Sequence, residues 1–380
     1  MPTETEAWVV FEKGSQFERA AVTLDDPLDD EVLVEIAASG ICHTDFLVAQ
    51  ALLPGATFPV ILGHEGSGKV LAVGKSVSTI VPGDHVLLSF AYCNDCEACR
   101  GETPHACANW GMLNFGKVRS NGSVEVGTLK DGRRVHGAFF GQSSFAKHTL
   151  AKETSCVKVS PDTDLVSLAP MGCGMQTGAG AVLNVAQPRP QDSVMVSGLG
   201  AVGMAALFAA KQSKVELVIA VDMNDDRLEM ARSFAASSKP SKTFGATHTI
   251  NPRSVDTVTE VKRLTRGRGV DFAIECSGNV HASRSAFMSL ALQGKQVQVG
   301  DSGVGELSVP LAAFLQGLRT IVGCVEGNCT PSKFIPQLVQ LSQEGKFPLQ
   351  QISTRYKWED FAQAEHDAHT GTIIKAILVV

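Results

Sequence analysis

Hydrophobic and polar positions change their rhythm twice along this chain. From Val9 to about Leu150 the apolar runs are short and broken by Gly and Pro, as in Glu31–Ile36, Lys69–Val73 and His85–Leu88, which predicts a β-rich first part. From about Val194 to Val322, Val-rich runs alternate with stretches of helical period. Strands are expected at Ser193–Ser197, Leu217–Val221, Asp271–Glu275 and Gln296–Val299, and helices at Val202–Lys211 and Asp225–Ala235. Alternation of this kind predicts a parallel sheet covered by helices. The closing stretch is helical at Phe334–Glu344 and Phe361–Ala368 and strand-like at Thr372–Val380. It has no place in that cycle and is expected to return to the first part. Ser237-Ser-Lys-Pro-Ser-Lys-Thr243 is a polar insertion expected to form a solvated loop.

Length and charge narrow the possibilities. At 380 residues the chain exceeds one ordinary core and predicts two domains. A hydrophobic content of 44%, 36 glycines and a mean hydropathy of +0.08 suit a well-packed soluble α/β protein. A net charge of -6 supplies no basic field for nucleic acid. The start, Met1-Pro-Thr-Glu-Thr-Glu-Ala-Trp8, lacks the basic-then-apolar order of a signal peptide, and no apolar run is long enough to span a bilayer. A cytoplasmic protein is expected, with neither nucleic acid nor membrane as partner. Its 10 cysteines would stay reduced there unless a metal held them.

Four of those cysteines fall within one run, Cys93-Asn-Asp-Cys96-Glu-Ala-Cys99-Arg-Gly-Glu-Thr-Pro-His-Ala-Cys107. The spacing lets four thiolates close a tetrahedral zinc site, with Gly101 and Pro104 supplying the bends. A zinc held by four sulfurs has no open position, so it can fold a loop but perform no chemistry. Free thiols or two disulfides are the alternative, which a reducing compartment disfavours.

Ser197-Gly198-Leu199-Gly200-Ala201-Val202-Gly203 follows a Val-rich strand and opens a helix. There the glycines can make a tight turn, admit a pyrophosphate to the backbone and pack helix on strand. Asp222, nineteen residues after Gly203, ends the next strand where an adenosine ribose would present its hydroxyls. A carboxylate there accepts from the 2′-OH of NAD and repels the 2′-phosphate of NADP, so NAD is the expected cofactor. Arg227 lies close enough to pack on the ribose or to meet a phosphate.

A third constellation is dispersed. Cys42 follows Gly40 and Ile41, His64 stands in Gly63-His-Glu-Gly66, and Cys173 stands in Gly172-Cys-Gly174. Two thiolates and one imidazole would leave a fourth zinc position for substrate, as catalysis requires. Taken singly, each is equally well read as a buried thiol or a core imidazole, and spacing alone does not bring them together.

Five ordered strings resemble the zinc-dependent alcohol dehydrogenases of the medium-chain dehydrogenase/reductase family: Gly40-Ile-Cys-His-Thr-Asp45, Phe58-Pro-Val-Ile-Leu-Gly-His-Glu-Gly66, the four-cysteine lobe, Gly172-Cys-Gly-Met-Gln-Thr-Gly178 and Gly198-Leu-Gly-Ala-Val-Gly203. The resemblance covers nearly the whole chain. It implies an α/β protein with a GroES-like β-rich catalytic domain over 1–178, carrying the lobe at 93–107, a doubly wound Rossmann NAD-binding domain over 179–322, and a segment over 323–380 that completes the catalytic domain. It further implies catalytic zinc on Cys42, His64 and Cys173, structural zinc on Cys93, Cys96, Cys99 and Cys107, and assembly into a homodimer or homotetramer through the Rossmann domain. An open-sided zinc beside NAD would then oxidise a small-molecule alcohol to its aldehyde. Thr44 would pass the alcohol proton toward the nicotinamide ribose, Asp45 would hold His64 in one tautomer, and Glu65 would approach the zinc from behind or pair with a cation. His43 and Lys375 would touch the pyrophosphate, although both otherwise pass as surface residues, and Val299 would lie beside the cofactor. Leu47 occupies the place where many family members end the proton relay with histidine, which should alter pH dependence without abolishing activity.

The pocket implied by the resemblance is formed by Ser89, Phe139, Phe140 and Val325, with Leu52 and Leu53 on a nearby loop. The stretch His136-Gly-Ala-Phe-Phe-Gly-Gln-Ser-Ser-Phe145 is similar to that of the aryl-alcohol dehydrogenases. A small Ser89 beneath paired aromatics leaves room for a flat ring; the plainer reading makes both phenylalanines core. Asp301 at the pocket edge would favour an oxygenated substrate. Two rivals are weighed against this. Glutathione-dependent formaldehyde dehydrogenases need a basic contact for their anionic adduct, yet Gly111 stands where their arginine would, and Ala51-Leu-Leu-Pro54 lacks their acidic loop residues. A non-catalytic NAD-binding scaffold has no use for an open metal position.

Overall fold

The computed structural model describes residues 2–53, 57–233, 245–303 and 305–380. The polar insertion expected at 237–243 and Pro54 lie outside the described residues. Two compact units emerge. The first comprises the chain up to Cys173 together with Cys329–Val339 and Leu349–Val380, and the second comprises Gly174–Asn328 and Gln340–Pro348.

The first unit is β-rich. Five strands, Thr3–Val10, Phe17–Leu24, Glu125–Leu129, Arg134–His136 and Val60–Ile61, close a small barrel. A seven-stranded sheet is built around Glu31–Gly40, which is buried along most of its length and pairs with Gly66–Val73, His148–Lys152 and Lys375–Val379. Val32, Val34, Ile36, Val70, Val86 and Leu88 pack into one apolar cluster beneath it. The predicted return of the C-terminal stretch takes a definite form: Lys375–Val379 inserts between Glu31–Gly40 and Ser353–Lys357, with Ile377 opposite Gly40.

The second unit carries six parallel strands in the order His248–Ile250, Leu217–Val221, Ser193–Ser197, Val270–Glu275, Leu290–Gln298 and Thr320–Gly323. Ser193–Ser197 is flanked by the second strand on one side and by Val270–Glu275 on the other. The strand order therefore reverses beside it, the place where an open α/β sheet leaves a crevice for a dinucleotide. Ser193–Ser197 and Leu217–Val221 fall where the Val runs predicted them. Leu290–Gln298 begins earlier than expected, because Gln293 and Gly294 break its apolar pattern and the pairing register shifts opposite them. The chain passes between units at Cys173/Gly174, ahead of residue 178. Gln340–Pro348 clusters with the second unit rather than the first, where Phe347 packs edge-on to Phe208 at 5.3 Å.

Candidate active site

Cys42 is delivered by the end of the central strand. Its backbone is extended (φ -119°, ψ 152°) and caps the short helix His43–Ala49, whose third residue is Asp45. Asp45 is fully buried, and its two oxygens tie its own helix start to the Gly63–His64 segment. Oδ2 accepts the Cys42 N–H at 3.1 Å, and Oδ1 accepts the Gly63 N–H at 3.0 Å and faces His64 Nδ1 at 3.0 Å. A ring nitrogen that donates to a carboxylate leaves the other nitrogen with a free lone pair. His64 Nε2 is buried and has no hydrogen-bond partner.

That orphaned nitrogen and the sulfurs of Cys42 and Cys173 lie within 4.8 Å of one another, a donor set of one borderline and two soft ligands that fits zinc with a position to spare. Cys173 is held there by its neighbour: a Cβ on Gly172 would fall 1.7 Å from the Leu88 carbonyl oxygen, so the close approach requires glycine. The thiols and the imidazole perturb one another. A hydrogen bond from Cys173, outweighing burial and helped by His64 and Lys375, holds the Cys42 thiol well below its ordinary range. Burial works against charge on His64, but Asp45 and Cys42 hold its imidazole well above the usual value.

Glu65 pairs with a buried cation. Both oxygens face Lys375 Nζ, at 2.9 and 2.7 Å, and the third ammonium proton goes to the Ile41 carbonyl at 3.0 Å. Lys375 is therefore buried, whereas without the family resemblance it passes for a surface residue. Desolvation opposes its charge, while Glu65 and Cys42 hold its pKa above the usual range. Gly40 makes room for the pair, since a Cβ there would sit 2.0 Å from Glu65 Oε2.

The four-cysteine lobe is equally well formed. Sulfur separations of 3.8 Å (Cys93–Cys99) and 3.5 Å (Cys107–Cys93) are close to the roughly 3.8 Å edge of a tetrahedron with zinc–sulfur bonds of about 2.3 Å. All four sulfurs lie within 4.8 Å of one another, and no cysteine forms a disulfide. Backbone N–H groups point at the sulfurs, from Cys96 to Cys93 (3.3 Å), Cys93 to Cys107 (3.4 Å) and Ala108 to Cys96 (3.5 Å). Against the effect of burial, such donors bring the Cys93 thiol down to about 6, while burial pushes Cys99 up to about 12.

In the second unit the three glycines of the turn divide their roles. Gly198 takes φ +85°, and Gly203 lets the helix Ala201–Gln212 pack at a distance where a Cβ would meet the Gly198 carbonyl oxygen at 1.8 Å. Gly200 faces open space, with nothing within 4 Å of the missing Cβ, as a pyrophosphate cradle requires. Asp222 does more than end its strand. Oδ2 accepts the Leu199 N–H at 2.6 Å and Oδ1 the Asn224 N–H at 2.8 Å, so the carboxylate buttresses the turn. The Arg227 N–H donates to Asn224 Oδ1 at 3.2 Å, and the Val299 N–H to the Glu275 carbonyl at 2.9 Å. Val325 is exposed.

Phe139 and Phe140 are both buried, and both pack against the ring of His64. Phe140 stacks on the His64 ring at 4.6 Å and 27°, and Phe139 meets it edge-on at 5.3 Å. Trp110 and Phe115, which the sequence reading passed over, close the cluster at 5.8 and 5.4 Å from Phe140. The loop beneath is strained: Ala138, Phe140 and Ser143 all have left-handed φ (55°, 53° and 66°), costing on the order of 1 kcal/mol each. Ser89 is wholly buried, and its hydroxyl donates to the Gly172 carbonyl at 2.7 Å, bracing the residue before Cys173. Thr44 is half-buried with its Oγ1 3.8 Å from Cys42 Sγ, and His43 is exposed.

Residues 28–161 match the alcohol dehydrogenase GroES-like domain, and residues 201–344 match the zinc-binding dehydrogenase domain. A geraniol dehydrogenase from Castellaniella defragrans is 36% identical across 98% of this chain and 97% of its own length. The chain belongs to the zinc-dependent alcohol dehydrogenases of the medium-chain dehydrogenase/reductase family. A solved benzyl alcohol dehydrogenase from Acinetobacter calcoaceticus superposes with a TM-score of 0.91 at 38% identity, covering 100% of this chain and 99% of that one. An S-(hydroxymethyl)glutathione dehydrogenase from Escherichia coli is 32% identical over 99% of both chains. The dehydrogenase is thus an alcohol-oxidising enzyme of the aryl-alcohol neighbourhood that uses zinc and a nicotinamide cofactor. Among its described residues no helix is long and apolar enough to cross a membrane.

Proposed function

We propose that this dehydrogenase reversibly oxidises primary aromatic or allylic alcohols to aldehydes with NAD, and holds two zinc ions per chain. The observation that carries the reading is the aromatic enclosure of His64 by Phe139 and Phe140. A flat unsaturated group laid against these rings gains ring contact and buried area that a methyl group cannot match. Relatives named for geraniol and benzyl alcohol support the same reading.

Zinc on Cys42, His64 and Cys173 would supply a Lewis acid that lowers the pKa of an alcohol, and NAD a hydride acceptor. The chain's own residues do the rest. Asp45 aims His64 Nε2 into the site, and Lys375 fixes Glu65 behind it. Thr44 is the hydroxyl through which the substrate proton leaves. Leu47 supplies no imidazole to finish the relay, so the proton leaves without one at that position. His43, Arg227, Val299 and the Gly198–Gly203 turn are assigned to the cofactor, with Asp222 selecting NAD. Glutathione adducts are disfavoured, because Gly111 offers no basic side chain and open space surrounds its missing Cβ.

Turnover of native enzyme with benzyl alcohol, geraniol, ethanol and S-hydroxymethylglutathione tests the reading. Benzyl alcohol should exceed ethanol in kcat/KM by about ten- to a hundred-fold. Ser89→Phe should shrink that ratio, while Ser89→Ala, which loses only the hydroxyl brace, should keep it. Equal use of ethanol and benzyl alcohol by the native enzyme would sink the aromatic assignment.

We also infer self-association through the second unit. The helix Leu311–Gly317 is seated by Phe314, stacked on Phe287 at 5.7 Å, yet leaves Leu311, Leu315 and Leu318 at 78%, 69% and 59% exposure. It precedes Thr320–Gly323, the last strand of its sheet, which among the described residues pairs on one side alone. A homodimer or homotetramer would cover both features. Six cysteines committed to zinc fit a reducing, cytoplasmic setting.

A further inference from the structure

One buried side chain ties two segments, His64–Gly66 and the strand end at Ser89, to the loop that carries it. Gln142, wholly buried, donates from Nε2 to the carbonyls of His64 (3.0 Å) and Ser89 (3.1 Å) and accepts the Gly66 N–H on Oε1 (3.0 Å). Its orientation is dictated by its partners: two carbonyls can only accept, and an N–H can only donate. Its own backbone belongs to the strained loop that carries Phe139 and Phe140. Thr149 Oγ1 donates to the Gln142 carbonyl, Ser143 Oγ to the Ile61 carbonyl at 2.7 Å, and the Ser144 N–H to the Gly63 carbonyl at 2.9 Å.

We propose that Gln142 is a positioning residue that locks the metal-binding His64 and the aromatic pair in one register, and so sets both how firmly the zinc is held and how strongly flat substrates are preferred. The inference rests on the function proposed above. Asp45 fixes the imidazole ring, but the ring can be no better placed than the backbone that carries it, and Gln142 ties that backbone to Ser89 and to the loop of Phe140. Only a primary carboxamide supplies two donors and an acceptor in this planar fork. Glutamate would turn an oxygen on two carbonyls, methionine would fill the space without bonding, and asparagine is one methylene short.

The test follows zinc release from native enzyme, Gln142→Met and Gln142→Glu into a chelating dye, with the four-cysteine zinc as internal control, and records the visible spectrum after cobalt replaces the catalytic zinc. The catalytic zinc should leave at least about ten-fold faster in both variants and the structural zinc at an unchanged rate. The cobalt ligand-field bands should shift, and the benzyl-to-ethanol ratio of kcat/KM should fall. Unchanged zinc release and cobalt spectrum, with loss of thermal stability alone, would reduce Gln142 to a packing residue and overturn the proposal. Should both variants fail to fold, Thr149→Val removes only the bond to the Gln142 carbonyl. The same changes at smaller amplitude would support the proposal, and their absence would overturn it. A native enzyme holding no zinc on Cys42, His64 and Cys173 overturns the underlying reading as well, whereas native zinc with unaltered variants overturns this inference alone.

Discussion

On the function proposed, one carboxylate at Asp222 serves both the turn and the cofactor. It accepts the Leu199 N–H at 2.6 Å, and in the proposed reading a 2′-phosphate would bring a second negative charge beside it. Replacement by alanine mixes the two roles. Asp222→Asn keeps an acceptor for Leu199 but loses the one for Asn224 and removes the charge, so preference for NAD over NADP should fall by about ten-fold or more, roughly 1.4 kcal/mol, with a small loss in melting temperature from the second bond. Cofactor titrations monitored by nicotinamide fluorescence would measure this. Native enzyme binding both cofactors equally would show that Asp222 does not set the choice. Lys375 teaches the converse lesson at this scale. Nothing in its sequence neighbourhood marks it as buried, and only the pairing of Lys375–Val379 with Glu31–Gly40 brings it to Glu65.

At the scale of elements, the two cysteine sets differ in what holds them. The lobe's four cysteines lie on one short stretch whose helices, Glu97–Arg100 and Pro104–Ala106, are too short to persist unaided, so on the reading proposed a metal would fold it. Cys42, His64 and Cys173 instead hang on strands and loops already fixed by the sheet and by Asp45. Cys96→Ala should therefore lower the melting temperature by several degrees and cost the structural zinc. Cys173→Ala should abolish turnover and one zinc while leaving the melting temperature within about 2 °C. Metal analysis with calorimetry separates the two, and active native enzyme containing one zinc or none would refute the assignment. The lobe was legible in the sequence because its ligands are local. The second set was legible only through resemblance, because its members lie 22 and 109 residues apart.

For the whole molecule, the exposed leucines of Leu311–Gly317 are the feature least compatible with a lone chain in water. Leu315→Glu places a charge where an apolar partner is expected. Sedimentation should show native enzyme as a dimer or tetramer and the variant shifted to monomer, with the zinc content of each chain unchanged. A monomeric native enzyme would remove this interpretation.

What the sequence determined by itself was everything carried by short range. Val runs of strand length placed Ser193–Ser197 and Leu217–Val221, three glycines placed a tight strand-to-helix turn, and four cysteines in one loop brought four sulfurs together. Local spacing suffices there because the ligands or backbone groups share one turn or one loop. Tertiary structure alone decided the rest: that His64 Nε2 is left without a partner beside two thiols, that Phe140 lies flat on that imidazole, that Glu65 is paired with Lys375, and that Gln142 reaches backbone groups on two other segments at once. Each depends on contacts between segments far apart in the chain, whose approach is set by sheet pairing and buried hydrogen bonds and leaves no periodic trace in the order of residues.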